Sequence, residues 1–128
     1  MISGMPWSTP GRAHRGWPRW LRGRVDRYGY ISSASVYEPR QSNAESSPVV
    51  AGDPEASDGD YAAIKRGSEL GILASFPDAL IARLGLILGP GEDIGRLPWW
   101  LARAAAGGRI AAPGEPDRPL QYVDVRDL

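Results

Sequence analysis

Tyr28-Gly29-Tyr30-Ile31-Ser32-Ser33 runs from aromatic and β-branched residues into small hydroxyl residues. That order reads as a buried strand passing into a loop at its C-terminal end. Downstream, Asp58 or Asp60 can cap a helix from Tyr61 to Ala74, in which Tyr61, Ile64 and Ile72 fall near one face. Ser68 interrupts that apolar stripe, Gly67 and Gly71 either weaken the helix or allow close packing, and Pro77 stops it. The segment 79–88 is largely apolar, bounded by Asp78 and Gly89-Pro90, and reads as a second buried strand. A loop through Gly95 leads to a helix at about residues 98–106, with Pro98 in its first turn and Gly107-Gly108 at its end. Residues 120–125 form a candidate short strand. Strand, helix, strand, helix, strand predicts an α/β fold with a parallel sheet and right-handed crossovers.

The rest of the chain narrows the function classes. Its 128 residues suffice for about one domain, and 42% of them are hydrophobic, enough to build a core. The formal net charge is zero, so overall charge points to no nucleic-acid partner and no acidic-membrane partner. With no cysteine and a single histidine, His14, neither a disulfide framework nor a Cys/His metal cluster is available. No apolar run approaches the roughly 20 residues of a membrane span, and a cytoplasmic protein is the expectation. The charge is unevenly spread. Residues 1–30 hold six arginines against Asp26, whereas residues 38–60 hold six acids against Arg40 and read as a long surface loop. Residues 1–20, rich in Pro and Gly and without periodicity, read as a disordered or aberrant leader. The alternative is a basic, Trp-bearing arm for nucleic acid or membrane.

Of the fifteen basic residues, only Lys65 is a lysine. It stands four residues after Tyr61, so on a helix the two share a face. An ammonium beside a phenol favours the phenolate, and the pair can then exchange a proton near neutral pH. With five tyrosines among 128 residues, chance places one four before a lone lysine about 4 times in 100. From spacing alone, an amphipathic helix with a snorkelling lysine remains the competing reading. Ser32 and Ser33 close the preceding strand, and in open α/β sheets ligands bind beyond the carboxyl ends of strands.

The stretch Ile31-Ser32-Ser33-Ala34-Ser35-Val36-Tyr37, then an acidic loop, then Tyr61-Ala62-Ala63-Ile64-Lys65, resembles the extended short-chain dehydrogenase/reductases. More narrowly it is similar to the NAD-dependent epimerase/dehydratase family. Arg83-Leu84-Gly85-Leu86-Ile87-Leu88-Gly89-Pro90-Gly91 and Tyr122-Val123-Asp124-Val125-Arg126-Asp127-Leu128 continue the family's order, so four motifs span residues 24–128. The resemblance implies the second half of a Rossmann-type, doubly wound parallel sheet over residues 21–128. It implies NAD or NADP as cofactor and a small-molecule substrate with a reacting hydroxyl or carbonyl carbon. By the same resemblance, Ser33 orients the substrate oxygen, Tyr61 is the catalytic acid/base, and Lys65 supports the phenolate and bonds the nicotinamide ribose. Leu84 lies in the segment that packs on the nicotinamide end.

Three departures bear on that picture. The Gly-x-Gly-x-x-Gly fingerprint of dinucleotide binding is absent, and Gly89-Pro90-Gly91-Glu92-Asp93-Ile94-Gly95 misses its spacing by one residue. Leu84 stands where proline is usual. Leu120 stands where many sugar-nucleotide members carry arginine, with Arg118 nearby but unmatched. The resemblance begins abruptly near Leu21, which suggests a frameshifted or misplaced start and a central piece of a longer gene. On that view half a sheet leaves an open edge and lowers stability. The alternative function is a non-catalytic remnant or interaction module without cofactor binding.

Overall fold

The computed structural model describes residues 21–38, 44–92, 94–112 and 114–128. The leader over residues 1–20 and residues 39–43 of the acidic loop lie outside them. The chain divides into two compact units, with the boundary in sequence between Arg83 and Leu84.

In the first unit, β1 (Gly29–Ser33) hydrogen-bonds with β2 (Leu80–Leu84) to form a two-stranded sheet. Between them in sequence lies helix α1 (Tyr61–Ser75), packed against β1 and the single 3-10 turn Ala34–Val36 that follows it. Asp60 caps α1 by accepting from the Ala62 amide (3.0 Å), as the Asp58/Asp60 signal anticipates. At the other end Arg22 donates to the Ala74 and Ser75 carbonyls (2.9 and 3.3 Å). One arginine of the basic N-terminal stretch therefore satisfies orphan helix carbonyls. Tyr28 stacks on Phe76, with ring centroids 4.9 Å apart.

Two expectations change here. Strand β1 is buried on one face only: Tyr30 and Ser32 point inward, while Gly29 and Ile31 are exposed. Of the expected face, Tyr61, Ile64 and Ile72 with Ser68 between, α1 fully buries only Ile72; the other buried side chains are Glu69 and Ser75, beside the buried Gly67. Tyr61 is 47% exposed. The core of this unit is small, comprising Tyr30, Val36, Tyr37 and Ile72. The acidic segment is tied back onto it. Tyr37 and Val49 form an antiparallel bridge, flanked by Glu38 N to Pro48 O (3.0 Å) and Val50 N to Val36 O (2.9 Å).

In the second unit, β3 (Leu86–Leu88) pairs in parallel with β4 (Tyr122–Asp124), with Leu86 opposite Tyr122 and Leu88 opposite Asp124. The single strand expected over residues 79–88 is therefore split at Gly85, and its two halves serve different sheets. The cause is close backbone approach. A Cβ on Gly85 would fall against the Gln121 carbonyl, 2.8 Å from its carbon, and that carbonyl accepts from the Leu86 amide (2.9 Å). Gly85→Ala should therefore push residue 121 away and loosen the β3–β4 ladder. Amide exchange at Leu86 and Leu88 should accelerate at least about tenfold. Unchanged protection would show that the segment can give way without losing its pairing.

Helix α2 (Arg96–Ala106) begins two residues before the expected start, after Gly95 in the left-handed conformation (φ 69°). Glu92 holds its first turn, accepting from the Arg96 amide (3.2 Å) and side chain (2.8 Å). No helix among the described residues is long and apolar enough to cross a membrane.

Candidate active site

The helix cap and the strand end fix where the sequence-predicted residues lie. Asp60 starts α1, so Tyr61 takes its first position and Lys65 follows one turn later on the same face. The Lys65 Nζ lies 5.9 Å from the centroid of the Tyr61 ring and 5.2 Å from that of Tyr30. It donates to the Ile31 carbonyl at 3.2 Å. Lys65 is half-buried, and its head group makes this bond at the surface, on the strand residue just before Ser32 and Ser33. Burial pushes the Lys65 pKa below the ordinary lysine value, and the Glu69 carboxylate opposes that shift.

Ser33 closes β1 and caps the 3-10 turn, accepting from the Ser35 amide (3.2 Å) and donating to the Ser35 hydroxyl (3.0 Å). The structure thus brings Tyr61 and Lys65 together, and Lys65 to β1, while the Ser33 hydroxyl is engaged locally with Ser35. Leu84 is the last residue of β2.

The residue that sequence reasoning missed is Glu69. Its side chain is 0% exposed. It accepts from Ser32 Oγ (2.6 Å), from Arg66 (2.8 Å), and from both Nε and an Nη of Arg83 (2.9 Å each). Arg83 in turn lies over the Tyr37 ring, 4.9 Å from its centroid. Burial alone would raise the Glu69 pKa. The hydrogen bonds from Arg83, Ser32 and Arg66 more than offset this and hold it below the ordinary value. The available signal was the (i, i+4) spacing from Lys65 to Glu69, which continues the Tyr61–Lys65 face by one further turn.

Among the described residues, the two α-helix starts do not fit the diphosphate half of a dinucleotide. A helix N-terminus holds such a group with free amides. At the start of α1 the Asp60 carboxylate takes the Ala62 amide. At the start of α2 the Glu92 carboxylate takes those of Arg96 and Leu97. Both positions carry a negative charge of the chain's own. No group of three or more His, Cys, Asp or Glu side chains among the described residues is placed to hold a metal ion.

Comparison with protein-family models, with curated proteins and with solved structures gave no match.

Proposed function

We propose that this chain supplies the proton-transfer half of an NAD(P)-dependent oxidoreductase, epimerase or dehydratase reaction at a hydroxyl or carbonyl carbon of a small molecule. Tyr61 gives or takes the proton of the substrate oxygen. Lys65 stabilises the phenolate form, and Ser33 orients the same oxygen after a χ1 rotation away from Ser35. The observation that carries this reading is the placed ammonium: the half-buried sole lysine donates to the Ile31 carbonyl of β1 beside the Tyr61 ring. Holding a cation there opposes its hydration, which is expected where chemistry requires the charge. The motif resemblance and the alternation of strands and helices along the chain support the same reading.

Because both described α-helix starts are already occupied by carboxylates, the nucleotide contacts of the described residues are confined to the nicotinamide-ribose end. Reduced nicotinamide mononucleotide should therefore bind within a few-fold of NADH and NADPH, as followed by tryptophan fluorescence. Lys65→Ala should weaken all three more than about tenfold, or about 1.4 kcal/mol. Absence of saturable binding at millimolar nucleotide, or binding indifferent to Lys65→Ala, would remove this reading.

The non-catalytic alternative has one observation of its own. Helix α2 buries none of its side chains, and Trp99, Trp100 and Leu101 are exposed. An interaction module would bind none of these nucleotides.

A further inference from the structure

Lys65 and Glu69 lie one turn apart on the same face of α1, and they hold consecutive residues of β1. The Lys65 ammonium donates to the Ile31 carbonyl, and Ser32 Oγ donates to the Glu69 carboxylate. The helix thus grips the strand at two adjacent points with opposite charges. Glu69 is itself immobilised by Arg66 on its own helix and by the two-pronged contact from Arg83 on β2. Its carboxylate touches β1, α1 and β2 together. An apolar replacement of such a buried ionic group is often no less stable, so geometry is the more telling contribution of the charge.

We infer that Glu69 is a positioning residue of the Tyr61–Lys65 pair, holding through Ser32 the stretch of β1 to which the ammonium is anchored. This role rests on the proton-transfer reading of that pair. Glu69 also acts on Lys65 directly. The groups facing the ammonium are Tyr30 of β1, and Tyr61 and Glu69 of α1. Arg66 of α1 and Arg83 of β2 face the carboxylate. Of these, Glu69 is the carboxylate that favours the charged amine against burial. Removing its charge also leaves two guanidinium groups without their anion, which acts on Lys65 in the same direction.

The single lysine makes the test direct. Lysine labelled with 13C and 15N gives one side-chain signal, that of Lys65, in the intact chain. In Glu69→Gln its titration midpoint should fall below that of the parent, and Glu69→Asp should recover part of the loss. Ser32→Ala keeps every charge and removes only the tie to β1. It should shift the Lys65 Cε signal, and it decides the matter alone if Glu69→Gln does not fold. A parental Lys65 midpoint in folded Glu69→Gln, or an unchanged Lys65 signal in Ser32→Ala, overturns the assignment. All signals are read without ligand, so this result is separable from the nucleotide-binding test.

Discussion

Replacing Arg83 with leucine lowers the unfolding free energy by about 3 kcal/mol. The substitution deletes the two-pronged contact to Glu69, whose side chain has no access to water. Ser32 and Arg66 remain as donors, but each supplies one bond. A carboxylate left under-satisfied in that position keeps its desolvation cost and loses its best compensation. Against a total stability of about 5–15 kcal/mol, this is a large share for one side chain. Arg66→Leu should cost about 1 kcal/mol, because it removes a single contact. The double variant Glu69→Leu with Arg83→Leu should be more stable than Arg83→Leu alone, since it removes the buried charge as well. Urea denaturation followed by circular dichroism ranks the three. An Arg83→Leu chain as stable as the parent would mean that Glu69 is rescued by water or by its neighbours.

The same carboxylate predicts the acid behaviour. Its folded-state pKa is lower than the ordinary glutamate value. The fold therefore binds the deprotonated form more tightly than the unfolded chain does. That stabilisation is present above about pH 4.5 and is lost as pH falls through the lower folded value. Arg83→Leu should flatten this part of the stability–pH curve as well as lower it.

The parts of the fold legible in sequence are those set by local chemistry. Asp60 caps α1, Pro77 follows its end, Gly107 closes α2, and the aromatic–β-branched run makes β1. Contacts between distant residues were not legible. Glu69 reads in sequence as a polar position off the apolar stripe, yet its partners Ser32 and Arg83 lie 37 and 14 residues away. Helical periodicity assumes that the buried face is apolar. Here the Glu69 ion network shares that face with Ile72, so the periodic reading found Ile72 and missed Glu69. The break at Gly85 had a visible signal, a glycine inside an apolar run, but its meaning depended on residue 121 crossing at that point. Tyr61 and Lys65 were legible because one helix carries both. The anchoring of Lys65 on Ile31 required β1 in place, whereas the Ser33 hydroxyl turns to Ser35 locally as the cap of the 3-10 turn.

Gly67 and Gly71 should respond to alanine with opposite signs, although they sit one turn apart on α1. A Cβ on Gly67 would fall against the Asp53 carbonyl, 2.8 Å from its carbon. The approach is mutual, because a Cβ on Gly52 would lie 2.7 Å from the carbonyl carbon of Arg66. The acidic segment thus crosses the helix backbone to backbone, between Lys65 and Glu69 in sequence. Alanine gains about 1 kcal/mol of helix propensity over glycine, but displacing packed backbone costs about 1–3 kcal/mol or more. At Gly67 the displacement dominates, and Gly67→Ala should lose about 1–2 kcal/mol net. It should also release the segment, so cleavage at Glu45 and Glu55 by a glutamate-specific protease should accelerate. At Gly71 a Cβ would meet only the Pro54 Cβ at 3.6 Å, an ordinary contact. There the propensity term stands almost alone, and Gly71→Ala should gain about 0.5–1 kcal/mol with unchanged cleavage. Equal effects at the two positions would show that the crossing does not constrain the helix. Opposite signs would place the acidic segment as a fixed strap over the turn that carries both the ammonium and its counter-charge.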